Sequence, residues 1–133
     1  MTVKAIALLA DNPNSFFLMV EATHIDKYFH DNDFENAVHH VREFDKAIAS
    51  ALAYAAENPE TLVLVTADHE TGGIALEDGK YVYTSGGHTK ASVPVFVNRT
   101  DASFENCGIW KKREVGAQLE RILCFGSGVF SRR

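Results

Sequence analysis

Two continuous apolar runs flank one long amphipathic stretch, and this arrangement limits the chain more than any other feature. The runs are Ser15-Phe16-Phe17-Leu18-Met19-Val20-Glu21 and Thr61-Leu62-Val63-Leu64-Val65-Thr66-Ala67. Runs of this length between turn signals suit strands buried on both faces, as in a parallel sheet. Between them Phe34, Ala37, Val38, Val41, Phe44, Ile48, Ala51, Leu52 and Ala55 recur at three- and four-residue steps. That spacing predicts a helix over 33–57 with one apolar face. Asp33 suits its N-cap and Asn58-Pro59 its stop. Strand, helix and strand make a βαβ unit, which favours parallel pairing through a right-handed crossover. In such sheets functional groups gather beyond the carboxyl ends of the strands. Glu21 and Asp68 stand at those two ends.

The remaining segments are shorter. Residues 2–10 read as an amphipathic helix stopped by Asp11-Asn12-Pro13. Ile74-Ala75-Leu76 and Tyr81-Val82-Tyr83 read as two strands joined by a turn at Glu77-Asp78-Gly79. Val93 to Val97 is another strand, and Pro94 marks it as an edge or irregular one. Residues 112–124 read as a last helix, with Val115, Leu119, Ile122 and Leu123 on one face. One domain over 1–124 and a loose tail over 125–133 is the expected organisation of these 133 residues.

A net charge of −5 gives no electrostatic footprint for nucleic acid. No window approaches the ~20 apolar residues of a membrane span. The N-terminal apolar run is interrupted by Lys4 and has no clear cleavage site, so it does not read as a signal peptide. The protein is then cytoplasmic, or its export signal lies on a segment outside this chain. Cys107 and Cys124 are too few for a disulfide scaffold. Free thiols are the favoured reading, with pairing as the alternative.

Histidines and carboxylates carry the chemistry. Asp26 and His30 are four apart, so one helical turn puts them on the same face. Asp68-His69 follows an apolar strand, and His88 follows the Gly86-Gly87 turn. Carboxylate oxygen and imidazole nitrogen form a ligand set for zinc at about 2.0 to 2.2 Å. The same set suits two-metal sites with ions roughly 3.5 to 4 Å apart. Other residues have blander readings. His39 and His40 face solvent or the helix flank, and His24 is a half-buried core histidine. Arg42, Glu43, Asp45 and Lys46 form the solvated side of a helix. Glu70 and Thr71 can be turn residues and no more.

The joint pattern is more specific than its parts. Phe16 through His30 resembles the metal-ligand segment of alkaline phosphatases. Glu43-Phe44-Asp45-Lys46-Ala47 is a second family-like stretch. Val65-Thr66-Ala67-Asp68-His69-Glu70-Thr71-Gly72-Gly73 resembles the second metal-ligand motif of bacterial members. His88-Thr89 followed by Val93-Pro94-Val95-Phe96 resembles the third. The motifs stand in the family's order, from about residue 1 to about residue 124.

The resemblance implies an α/β fold, the C-terminal portion of the alkaline-phosphatase-like sheet with flanking helices. It implies hydrolysis of phosphate monoesters through a phosphoserine, with two zincs and one magnesium. By the match of motifs, Asp26, His30 and His88 correspond to ligands of the first zinc. Asp68 and His69 correspond to ligands of the second, and Glu21 to a ligand of the magnesium. Lys27 occupies a position that in some members contacts phosphate through water. The resemblance also implies a homodimeric full-length enzyme and a periplasmic or extracellular location. The chain departs from the pattern at Ala22, where the family usually has glycine, and at Lys90, where it often has a small residue. Asn98-Arg99-Thr100-Asp101 replaces a common Gly-Pro. No Asp-Ser-Ala-like nucleophile motif is present, so the chain is expected to lack the catalytic serine and to be inactive without an N-terminal half. The alternatives are a related phosphomutase or sulfatase, a non-catalytic metal-binding remnant, and an interaction module that has lost the chemistry.

Overall fold

The computed structural model describes residues 1–98. The helix expected over 112–124, Cys107, Cys124 and the tail 125–133 lie outside the described residues. Three helices come first: α1 (Thr2–Leu9), α2 (Thr23–His30) and α3 (Phe34–Glu57). Three short two-stranded antiparallel ladders follow. β1 (Leu64–Thr66) pairs with β6 (Val95–Val97), β2 (Glu70–Thr71) with β5 (His88–Thr89), and β3 (Ile74–Glu77) with β4 (Lys80–Tyr83).

The helices form where local signals are strong. At the start of α3 the Asp33 carboxylate accepts the Asn36 backbone N–H at 3.1 Å and its side-chain amide at 2.7 Å. This satisfies one of the donors that a helix leaves open at its N-terminus. At the other end Asn58 caps the last turn, donating its backbone N–H to the Tyr54 carbonyl, and Pro59 follows. The small side chains Ala37 and Ala55 are buried on the inner face of α3, and α2 packs against that helix. The β3–β4 hairpin closes at Asp78-Gly79, both with positive φ, 49° and 77°. Such two-residue turns match the right-handed twist of the strands they join.

The βαβ expectation fails in two respects. Residues 15–21 form no strand, and β1 pairs antiparallel with β6 instead of parallel with a strand before α3. A strand exists only where a neighbour takes its backbone groups, and among the described residues no backbone group pairs with 16–21. Pro94 comes directly before β6, in a ladder of only two strands, as an edge position allows. The apolar runs divide by exposure, with Phe16, Leu18, Leu62 and Leu64 among the less exposed positions. Those four are half-buried, with Phe16 tilted against Tyr54 at 6.3 Å between ring centroids. Phe17 and Met19 are the exposed ones, at 65% and 75%.

Burial is thin. Among the described residues the buried apolar side chains are Ile6, Ala37, Ala55 and Val95. Val3, Leu8, Phe17 and Met19 face solvent. An exposed apolar set of this kind drives association, so the isolated chain should self-associate. Sedimentation velocity checks this, and a single monomeric species across a concentration series would contradict it.

Gly72 links β2 to the hairpin with φ +93°. A Cβ there would stand 2.9 Å from the Tyr83 ring and 3.3 Å from the Phe29 carbonyl oxygen. Gly72→Ala combines that crowding with left-handed strain, and about 1–3 kcal/mol of stability should be lost. Urea unfolding of the two proteins measures it.

Candidate metal centre

Three elements meet at one point. Helix α2 presents Asp26 and His30 from successive turns, and β5 presents His88. The β2–β5 ladder sets Thr71 opposite His88, while the Thr71 hydroxyl donates to Asp26 Oδ1 at 2.6 Å. That bond ties the ladder to the helix, and it joins residues 45 positions apart.

The donor atoms of Asp26, His30 and His88 all lie within 4.8 Å of one another. His30 Nε2 is 3.0 Å from His88 Nε2, and each is 3.5 Å from Asp26 Oδ1. Two ligand atoms on one tetrahedral zinc stand about 3.3 Å apart, given bonds of ~2.05 Å. The trio therefore fits a single ion with a fourth position open. His30 Nδ1 lies 2.8 Å from the Gly86 carbonyl oxygen. A carbonyl only accepts, so Nδ1 carries the proton and Nε2 keeps its lone pair for a metal.

His69 stands beside this trio, its ring stacked on His88 at 3.5 Å between centroids. Its Nδ1 is 3.2 Å from the Thr71 hydroxyl oxygen. The hydroxyl has one proton, already given to Asp26, so His69 Nδ1 donates. In the neutral ring the Nε2 lone pair then faces Asp68 Oδ2 at 3.2 Å. Two lone pairs at that distance call for a proton or a cation between them, and the spacing again matches the edge of a zinc tetrahedron. Glu21 and Lys27 are exposed and stand outside the Asp26–His30–His88 cluster.

Asp26 is held below the ordinary carboxylate range. The Thr71 hydroxyl is the main cause. Partial burial opposes it, and His30, His69 and His88 add to the lowering. A depressed carboxylate contributes stability that is present above its unfolded value and lost as pH falls through its folded one. Asp26 thus stays ionised through the range in which imidazoles ordinarily gain protons.

Glu70 and Thr71 are more than turn residues. The Glu70 carboxylate accepts the Gly73 N–H at 2.8 Å and the Ile74 N–H at 3.4 Å, and it takes the Thr89 hydroxyl proton in a short bond. It thereby ties β2 to β5 and to the start of β3. In the sequence both stand next to Asp68-His69, inside the motif that ends at Gly72-Gly73. His24 is exposed, not half-buried; it stacks on His40 at 5.0 Å. His39 is exposed and His40 half-buried on the flank of α3.

The alkaline phosphatase family model matches residues 1–120. The chain belongs to the alkaline phosphatase family. It is 51% identical over 128 residues to alkaline phosphatase H of Pseudomonas aeruginosa, covering 95% of this chain and 26% of that protein. It is 46% identical over 76 residues to alkaline phosphatase 4 of Bacillus subtilis, covering 57% of this chain and 16% of that protein. Among solved structures, the alkaline phosphatase of the Antarctic bacterium TAB5 superposes with a TM-score of 0.81 at 33% identity, covering 91% of this chain and 39% of that one. A histidine-to-glutamate mutant of the TAB5 enzyme, solved with Mg bound in its M3 site, superposes at 0.79. The α/β fold of the family is thus present here. The chain spans about a quarter or less of the curated alkaline phosphatases described above.

Proposed function

We propose that this chain supplies the metal-binding part of a phosphate monoester hydrolase. The observation that carries the reading is the trio of donor atoms from Asp26, His30 and His88, spaced as the edges of one zinc tetrahedron. Asp68 and His69 would hold a second zinc beside it, and Glu21 would serve a magnesium. Zinc ions there would act as Lewis acids on the ester oxygens and lower the pKa of bound water.

This chain's own residues hold and orient that centre. Gly86 fixes the His30 ring through its carbonyl, and Thr71 fixes Asp26 and His69. Lys27 would neutralise phosphate charge from the helix surface. None of the chain's serines stands in an Asp-Ser-Ala setting, so the nucleophile would come from a part of the family fold outside these 133 residues. The complete enzyme would be a homodimer working outside the cytoplasm. Among the described residues no helix is long and apolar enough to cross a membrane.

Hydrolysis of an activated aryl phosphate tests this reading. The chain with zinc and magnesium should match a metal-buffer control. The chain joined to the N-terminal portion of a related alkaline phosphatase should turn over at alkaline pH and lose activity to a chelator. Chelator-sensitive turnover by the chain alone would show that the nucleophile lies within it.

A further inference from the structure

We propose that Thr71 is a positioning residue shared by both ligand groups, so that its hydroxyl couples metal binding at one to metal binding at the other. The inference rests on the metal-centre reading above. Thr71 is the buried polar residue of the described chain, 7% exposed. Its oxygen bonds to a member of each group, beside the direct stacking of His69 on His88. It donates to Asp26 Oδ1 at 2.6 Å and receives His69 Nδ1 at 3.2 Å. Its backbone is paired in register with His88. Asp26, His69 and His88 are thus each positioned against the same residue.

The proton count gives this contact its direction. One hydroxyl proton cannot serve both neighbours, and the carboxylate can only accept. His69 is therefore held as the Nδ1–H tautomer, with Nε2 turned toward Asp68. Moving Asp26 moves the shared oxygen, and with it the proton acceptor that fixes the His69 ring. A cation that pulls Asp26 into place thereby orders His69 for the second ion. Coupling of this kind is reciprocal.

Three proteins decide it: the unsubstituted chain, Thr71→Val and Thr71→Ser. Valine keeps the volume and removes the oxygen, whereas serine keeps the oxygen. Competition of each protein with a zinc chelator gives the affinities. The ¹⁵N resonances of the His69 ring in the metal-free proteins give the tautomer. Thr71→Val should weaken zinc roughly 10- to 100-fold, as loss of a partner to a metal ligand does, and should lose the Nδ1–H signature at His69. Thr71→Ser should retain both properties. Should the valine protein fail to fold, the serine protein decides alone, since the proposal requires it to behave as the unsubstituted chain. Zinc affinity and His69 tautomer unchanged in Thr71→Val would overturn the proposal and leave the metal centre standing. Loss of zinc in Thr71→Ser equal to that in Thr71→Val would overturn it in favour of packing. Absence of zinc binding by the unsubstituted chain would instead overturn the metal-centre reading, and this proposal with it.

Discussion

Asp68→Ala, made in the chain joined to the N-terminal portion of a related alkaline phosphatase, should lower turnover at least about a hundredfold. Lewis-acid stabilisation of the transition state amounts to several kcal/mol, and each ~1.4 kcal/mol is tenfold in rate. Asp68 Oδ2 faces His69 Nε2 at 3.2 Å, so the substitution removes one side of the pair proposed to hold the second ion. His69 would keep its ring orientation, because Thr71 holds the other nitrogen. The loss should therefore fall on turnover, with the fold intact by circular dichroism. Asp45→Ala is the matched control. It removes the same charge from an exposed position on α3 and should leave the rate near that of the unsubstituted protein. Equal rates for Asp68→Ala and Asp45→Ala would remove Asp68 from the site.

What the sequence revealed depended on how local each signal was. The helix over 34–57 needs only its own apolar spacing, its Asp33 cap and its Asn58-Pro59 stop, and all of these lie within the segment. Residues 15–21 carry an equally clear apolar pattern, yet a strand also needs a partner for its backbone groups. Apolar runs say nothing of where that partner is, which is why the pattern predicts a strand and a parallel pairing that the structure lacks. The hairpin at Asp78-Gly79 was legible because its turn chemistry is contained in two residues.

The site divides in the same way. Asp26 and His30 share a helical face by spacing alone. His88 reaches them only through the β2–β5 ladder and the Thr71–Asp26 bond, neither of which has a periodic signature. Resemblance to the family's motifs groups the three residues without any geometry. Thr71 and Glu70 read as turn residues because a hydroxyl and a carboxylate close to glycines suit an ordinary turn. Their roles emerge from partners at long sequence separation: Asp26 for Thr71, and Thr89 for Glu70.

The second large effect concerns zinc itself. Asp26, His30 and His88 all come from this chain, so the first ion should bind without any other segment. Three protein ligands plus water is the open arrangement of a catalytic zinc. His88 Nε2 contacts His30 Nε2 at 3.0 Å and Asp26 Oδ1 at 3.5 Å, so its removal breaks two of the three edges. His88→Ala should then abolish most of the binding. His39 carries the same side chain on the exposed flank of α3, and His39→Ala should change nothing. Zinc titration of the unsubstituted chain, His88→Ala and His39→Ala against a competing chelator tests the central claim most directly. One zinc bound tightly by the unsubstituted chain and by His39→Ala, and lost in His88→Ala, is the predicted result. Zinc bound equally well by His88→Ala, or weakened as much by His39→Ala, would contradict it.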